Sequence, residues 1–587
     1  MKTLTFAATA FLALLLAAPA HAATSANASS PLGINLNYLS YYDPEQPFLN
    51  IFKTTSITQS STAGWSTRDA SMNETNEEAY LQLDANGYPS TLAASSADPS
   101  SPQRFTQVCA VMLRLRPSNA GTGLSYRPGQ YVVLYDGSGA IQVGMDAQMV
   151  STSAGRDVFN VARPTQNGVW ICIAQSDPRN HVRNIRVVKA EEESLLSQGQ
   201  IYTPGFLGLM KNFRVIRAMQ WLRIDDKPGP PGNWAQRAQL SDAGWASGAG
   251  APLEAVISLC NAVSADCWLN VPHNADDNYI TQMATLAHQQ LGSSQDVYIE
   301  FSNEVWNGTY QQSAYASAQG LALWPANTNK FVANRDWYGM RTAQMCDIWA
   351  QVWGSDFSRV HCVLGAQAAV TWTATESLNC PLWKSGAPCY KHHITDVAIA
   401  PYFGWAGQST PTLLSTLDAA TSISDIFNEI NAGGLIANAG PALQEASAWE
   451  AAYKKALAPY GLPFIAYEGG QSLLGFPAYF DGSSVVNAYI AANRDSRMGA
   501  AYTKALDDWK ANGGETYVLY DDVYAPGEYG EWGLLESFMD TVSPLSSAPP
   551  KWQAVQQFIS NNPCWWAGCR QTVAETPLAP SGFKSSQ

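Results

Sequence analysis

From about residue 205 onward, short apolar runs alternate with amphipathic stretches, and this rhythm constrains the fold more than any other feature. Runs that are apolar throughout suit strands buried on both faces, and amphipathic stretches between them suit crossover helices. Seven runs read as strands: Val215 to Trp221, Cys267 to Val271, Val297 to Ser302, Val360 to Gly365, Val397 to Tyr402, Phe464 to Tyr467 and Tyr517 to Tyr520. Helical patterns separate most of them, for example Pro252 to Val263 and Tyr279 to Leu291. An eighth run, Gly33-Ile34-Asn35-Leu36, precedes them. Eight strands with intervening helices predict an α/β fold of the (β/α)8 TIM barrel type.

The stretch from about 60 to 195 breaks the rhythm. It reads as short strands between turns: Ala79 to Leu83, Val108 to Leu115, Gln130 to Leu134, Ala140 to Val143, Val158 to Val161, Val169 to Ala174 and Ile185 to Val188. Asp136-Gly137-Ser138-Gly139 is a turn signal between two of them. This pattern predicts a β-sandwich domain inserted after the first barrel strand. Segments that follow barrel strands lie on the catalytic face, so the insert is placed to flank a cleft. Ser95 to Gln103, rich in Ser and Pro, reads as an exposed loop. The expected division is 1–22, a secretory signal; 23–59, the barrel start with strand one; 60–195, the inserted β-sandwich; 196–562, the rest of the barrel; and 563–587, a C-terminal tail, polar from Thr572 onward.

Lys2 gives the signal its charged start, Phe6 to Ala18 its apolar stretch, and Ala20-His21-Ala22 a small-x-small cleavage site. The apolar stretch is short for a membrane span, and no later segment is apolar enough for one. The expected location is therefore outside the cell or in a periplasm. Export makes the ten Cys candidates for disulfides. Cys260 and Cys267, Cys346 and Cys362, Cys380 and Cys389, and Cys564 and Cys569 are near neighbours, which leaves Cys109 and Cys172 to bridge two strands. Buried free thiols are the alternative. No spacing has the paired CxxC form of a zinc site, and no metal or cofactor is expected. Charged residues make up 14% of the chain, against roughly 25% in an average domain. The net charge is −14 with no basic run, which argues against nucleic acid and anionic membrane surfaces as partners.

Two of these strand-like runs close on a glutamate. One is Glu304, in Val297-Tyr298-Ile299-Glu300-Phe301-Ser302-Asn303-Glu304-Val305-Trp306-Asn307, and the other is Glu468, in Pro463-Phe464-Ile465-Ala466-Tyr467-Glu468-Gly469-Gly470. In the strand count Glu304 follows barrel strand four and Glu468 follows strand seven. Two carboxyl groups facing one cleft are what glycosidic-bond hydrolysis requires: one protonates the leaving oxygen, and the other attacks the anomeric carbon or activates a water. Flat aromatic faces suit sugar rings, although a large core also uses aromatics.

An Asn-Glu pair after strand four and a Glu after strand seven resemble the pattern of the retaining glycoside hydrolases of clan A, the (β/α)8 superfamily that includes family 5 cellulases. The resemblance implies that Glu304 is the general acid/base and Glu468 the nucleophile. It likewise implies that Asn303 contacts the sugar hydroxyl beside the reacting carbon and that Arg217, on strand two, holds the nucleophile ionised. An ordinary ion pair is the alternative for Arg217. Tyr402, ending strand six, is placed to donate its hydroxyl to Glu468 or to sit in the core. Glu300 shares the face parity of Glu304 and reads as a buried structural carboxylate rather than a third catalytic one. His273, after strand three, is a candidate ligand for a sugar hydroxyl. Trp221, Trp306, Trp405 and Trp532, at or beyond strand ends, are candidates to stack sugars, with core packing as the alternative. The chain departs from the family 5 pattern at Val305, where a Pro often stands, and at Gly469-Gly470, which replace Phe-Gly.

The resemblance therefore implies a secreted retaining β-glycoside hydrolase, endo-acting on a β-linked polysaccharide such as a β-glucan, through a covalent glycosyl-enzyme intermediate. The expected partner is a polysaccharide or oligosaccharide substrate. A transglycosylase on the same scaffold differs only in the acceptor. A non-catalytic carbohydrate-binding protein is the other alternative, and the presence of both glutamates argues against it.

Overall fold

The computed structural model describes residues 27, 30–42, 44–55, 64–92, 105–115, 127–404, 422–434, 440–476, 479–567 and 569. The expected signal segment, the 95–103 loop, Trp405 and the polar tail from Thr572 lie outside the described residues. Strand β1 (Leu32–Asn35) opens the barrel. Eight strands follow before the barrel resumes: β2 (Ser66–Arg68), β3 (Gln107–Met112), β4 (Gly129–Asp136), β5 (Gly139–Met145), β6 (Ala147–Ser153), β7 (Arg156–Val161), β8 (Val169–Ser176) and β9 (Arg183–Lys189). Then come β10 (Val215–Arg217), β11 (Asp266–Val271), β12 (Val297–Phe301), β13 (Val360–Gly365), β14 (Asp396–Ile399), β15 (Phe403–Gly404), β16 (Phe464–Ala466), β17 (Gln471–Ser472) and β18 (Tyr517–Leu519).

The barrel is closed and parallel, in the order β1-β10-β11-β12-β13-β14-β16-β18. All eight runs read from the sequence are its strands. Their side chains alternate between two layers, as the pleat requires. Val215, Trp268, Tyr298, Val363, Ala398, Ile465, Tyr467 and Val518 fill the interior. Ile216, Cys267, Leu269, Ile299, Phe301, Val397 and Leu519 face the surrounding helices. Those helices start where the local chemistry favours it. Thr203 caps the helix Pro204–Met210, whose Pro at the first position needs no hydrogen-bond partner. Asp276 caps Asp277–Gln290 by accepting from Tyr279 N at 2.7 Å. Among the described residues no helix is long and apolar enough to cross a membrane.

Between β1 and β10 stand two four-stranded antiparallel sheets, ordered β2-β3-β8-β5 and β6-β7-β4-β9. They share one apolar cluster, which takes Val108, Ile141 and Ile171 from the first sheet and Tyr131, Phe159 and Val187 from the second. The turn at Gly137 and Ser138 carries the chain from one sheet to the other. The expected strand at Ala79 to Leu83 is instead a single 3-10 turn at Glu78–Tyr80. Glu78 Oε1 accepts from Thr67 N at 3.0 Å and from Thr67 Oγ1 at 3.1 Å, which curls the segment onto β2. The sheets pack beside the segment that follows barrel strand β10. Ala243 joins their apolar cluster, Ala243 N donates to Asn86 O at 2.8 Å, and Trp245 N donates to Lys53 O at 2.7 Å.

Five disulfides join Cys109 to Cys172, Cys260 to Cys267, Cys346 to Cys362, Cys380 to Cys389 and Cys564 to Cys569, the pairing expected from their spacing. Cys109 and Cys172 face each other across β3 and β8.

Candidate active site

Glu304 and Glu468 meet at the C-terminal end of the barrel. The backbone after β12 turns sharply, with Ser302 at φ 64° and Glu304 at φ 41°. These are left-handed conformations that cost a non-glycine residue and are held only by surrounding structure. Here Arg335, in the helix Lys330–Trp353, supplies part of that hold by donating to Val305 O at 3.4 Å and Trp306 O at 3.0 Å. After β16 the chain approaches β18 so closely that a Cβ on Gly469 would fall onto the Tyr517 hydroxyl, and Gly470 sits at φ 138°. The crowding at Gly469 explains why a glycine stands there in place of Phe, and the backbone at Gly470 favours glycine in its own right.

The two glutamates have different partners. Glu468 Oε1 accepts from Arg217 Nη1 at 2.7 Å, and its Oε2 accepts from the Tyr402 hydroxyl at 3.1 Å. Among the described residues Glu304 has no cation: Oε1 accepts from the Tyr467 hydroxyl at 3.0 Å and Oε2 from Asn307 Nδ2 at 2.9 Å. Burial first, and the charge of Glu468 second, push the Glu304 carboxyl well above its ordinary range. Burial raises Glu468 as well, but Arg217 and Tyr402 pull it back toward the ionised form. One carboxyl is thus favoured as an acid and its neighbour as an anion.

Arg217 is fully buried and organises the base of the site. Besides Glu468 it donates to Glu300 Oε2 through Nη2 at 2.9 Å, to Asn35 Oδ1 at 2.9 Å and to Asn303 Oδ1 at 2.8 Å. Its fixed planar fork suits this divided task. Glu300 is fully buried, and its Oε2 also accepts from Trp268 Nε1 and Asn270 Nδ2, both at 2.9 Å. It is a structural counter-ion inside the barrel.

Asn303 faces Asp225, a residue that the sequence patterns did not single out. Asn303 Nδ2 donates to Asp225 Oδ2 at 2.8 Å, and Gln312 Nε2 donates to Asp225 Oδ1 at 2.6 Å. Burial and the charge of Glu468 push Asp225 up to about 7. Of the four carboxyls here, Glu300 and Glu468 touch the guanidinium, whereas Glu304 and Asp225 do not. Tyr310, raised by burial and by Asp225, Glu304 and Glu468, lies in the field of the same group. The sequence offered one signal for Asp225: two acids, Asp225-Asp226, just ahead of the turn-rich Pro228-Gly229-Pro230-Pro231 beyond a barrel strand. Tyr467 and Asn307 offered none, because their contacts depend on how two loops meet.

The remaining expected residues divide. Trp532 is half-buried and packs edge-on to Tyr402 and Tyr520, with ring centroids 5.6 and 5.5 Å apart. Trp306 is half-buried in the Glu304 loop, and its Nε1 has no partner among the described residues. His273 packs against Tyr315 at 5.0 Å, burial lowers its proton affinity, and it bonds neither glutamate. Trp221 is corrected: it is fully buried against Phe48, Tyr202 and Phe206, so neither ring face is open to a sugar. The strand that precedes it ends at Arg217, and the chain then turns into the apolar layer around the barrel, which includes the helix Pro204–Met210.

No protein-family profile and no curated protein sequence matches the chain. Solved structures of similar fold include a GH5-4 broad-specificity endoglucanase from Clostridium longisporum, 14% identical with a TM-score of 0.35, covering 62% of this chain and 88% of that one. A family 5 xyloglucanase from Paenibacillus pabuli is 12% identical with a TM-score of 0.33, covering 61% and 90%. A family 26 endo-β-1,4-mannanase from Cellulomonas fimi is 10% identical with a TM-score of 0.31, covering 59% and 63%.

Proposed function

We propose that this chain is an exported, retaining β-glycoside hydrolase that cuts within β-linked polysaccharide chains such as a β-glucan. The observation that carries the proposal is the unequal setting of two neighbouring carboxyls, Glu468 buried and Glu304 half-buried. Arg217 and Tyr402 favour the ionised Glu468, and burial without a cation favours the protonated Glu304.

In the first step Glu304 gives its proton to the glycosidic oxygen while a carboxylate oxygen of Glu468 attacks the anomeric carbon. The bond to the leaving sugar breaks, and an ester between Glu468 and the remaining sugar forms. Esterification removes the negative charge of Glu468, which was one cause of the raised proton affinity of Glu304. Glu304 is then a carboxylate of lower proton affinity, suited to take a proton from water. That water attacks the anomeric carbon, Glu468 leaves as a carboxylate, and the configuration is retained. Asn303, held between Arg217 and Asp225, keeps one amide N–H for a substrate hydroxyl. Half-buried Trp306 and Trp532 supply rings at the cleft edge. The five disulfides support export. The two antiparallel sheets are read as an inserted β-sandwich beside the cleft.

The test is turnover on a panel of β-glucans, mannans, xylans and galactans with Glu468→Ala alongside. The substitution is expected to cost about a thousandfold or more, and azide or formate should restore part of the rate by replacing the lost nucleophile. Proton NMR of the first product should show the β-anomer before mutarotation. A near-normal rate in the variant, or an initial α-anomer from a β-linked substrate, would remove Glu468 from this role.

A further inference from the structure

Three aromatic side chains stand exposed at the end of the barrel that carries the carboxyl pair. Phe476 is 41% exposed, Phe480 56% and Tyr529 51%. Phe476 and Phe480 follow β16 and β17, and Tyr529 follows β18, so all three belong to segments that leave the barrel at its catalytic end. The two segments are stitched together. Gly475 N and Phe476 N donate to Glu528 O at 3.1 and 2.8 Å. Asp481 N donates to Glu528 Oε2 at 3.0 Å, and Glu528 N donates back to Asp481 Oδ1 at 2.8 Å. Gly527 and Gly530 pair backbone to backbone and close the tip that carries Tyr529. These bonds set the Phe476 and Tyr529 rings 5.1 Å apart with a tilt of 39°.

The patch is continuous with the carboxyl site. Trp532 Nε1 donates to Tyr529 O at 2.6 Å, the Trp532 ring abuts Tyr402, and the Tyr402 hydroxyl reaches Glu468. A line of aromatic residues therefore runs from the reacting carboxylate to the surface. Apolar faces left in water beside polar groups mark a ligand surface. Three rings are far too small an area for a stable protein interface. A pyranose ring fits better: its C–H face packs on an aromatic ring, and its hydroxyls can bond the flanking carboxylates of Asp481 and Glu528.

We propose that Phe476, Phe480 and Tyr529 form a sugar-binding platform that holds a polysaccharide chain beyond the bond being cut. The source of that chain rests on the hydrolase reading above; binding itself does not. The test uses the full chain with Phe476→Ala and Tyr529→Ala combined, and a Phe476→Trp variant that keeps a ring. Retardation in native gels containing hydroxyethylcellulose, glucomannan or arabinoxylan measures binding. Turnover of the retarding polymer and of a small aryl glycoside measures catalysis. The double variant should bind the retarding polymer about tenfold more weakly, near 1.4 kcal/mol. Its kcat/KM on that polymer should fall, through KM, at least fivefold more than on the aryl glycoside, and Phe476→Trp should keep polymer affinity. Equal retardation of wild type and double variant, no retardation of wild type by any polymer, or equal losses on polymer and aryl glycoside would each overturn the platform. If the double variant loses retardation while wild type cleaves no glycoside, the platform stands and the hydrolase reading falls.

Discussion

Tyr467 and Asp225 act on the Glu304 proton with opposite sign. The Tyr467 hydroxyl bonds the carboxylate and favours ionisation, whereas the charge of Asp225 favours the protonated form. Asn307 works with Tyr467, and Glu468 works with Asp225. Tyr467→Phe should therefore move the alkaline limb of the kcat/KM profile to higher pH, and Asp225→Asn should move it to lower pH. Each shift should be up to about one unit. A pH–rate series on an aryl glycoside with a good leaving group checks both signs; shifts in the same direction would mean that the limb does not report Glu304. Glu304 and Glu468 were legible because each ends an apolar run whose place in the strand order can be counted. Arg217 and Tyr402 were legible on the same count. Asp225 was not, since a loop acid looks the same whether it meets water or an asparagine amide. Trp221 misled for a related reason: a Trp just past a strand end reads alike whether it faces a cleft or packs among the aromatic rings of Phe48, Tyr202 and Phe206.

Among elements, the barrel strands were the easiest to find because burial on both faces leaves an unbroken apolar run. Their ends were harder, and the run at Val215 to Trp221 continues past the strand into an apolar turn that is also buried. In the antiparallel sheets the missed strands are β2, only three residues long, and β6, whose Ala147–Ser153 side chains are mostly exposed and carry little apolar signal. The false strand at 79–83 has Tyr80 and Leu83 exposed, and only Leu81 packs against the apolar cluster, so most of its apolar residues record no burial. The apolar cluster of the sheets also recruits Ile51 and Phe52, ahead of β2, and Ala243, beyond β10. Excising about residues 60–195 should therefore uncover these side chains on the remaining barrel. The expected outcome is loss of soluble monomer in size-exclusion chromatography, and replacing Ile51 and Phe52 by polar residues in the excised chain should recover part of it. A soluble, monomeric excised barrel without those replacements would show that the cluster does not bind the sheets to the rest of the chain.

On the scale of the whole molecule, many buried acids hold protons that an unfolded chain would release. Burial raises Glu450 to about 8 and Glu515 to about 7, and pushes Glu531 well above its ordinary value. Because these folded values exceed the unfolded ones, the folded state carries more protons from about pH 4.5 to 8, and stability must fall as pH rises through that window. His361 adds the same sign: burial lowers its proton affinity, but Asp396, 3.0 Å from Nδ1, and Asp296 raise it more. His273, lowered by burial, acts with the opposite sign as pH rises toward 6.5, one group against the four above, and the depressed Lys53 and Lys551 do so only above about 8. Thermal unfolding should thus give a Tm at pH 5 at least about 2 °C above that at pH 8, and Glu450→Gln should flatten part of the slope. A Tm that rises across this interval would contradict the protonation of these acids in the folded state. The barrel's closure carries a consequence for the order of assembly. Leu32, Gly33 and Ile34 pair with Tyr517, Val518 and Leu519, so the earliest strand made keeps one edge bare until almost the last is made. Unpaired edges recruit other chains. A nascent polypeptide of this design spends nearly its whole synthesis as an open, adhesive sheet, and any stop codon before Tyr517 should yield aggregate rather than a shorter folded protein.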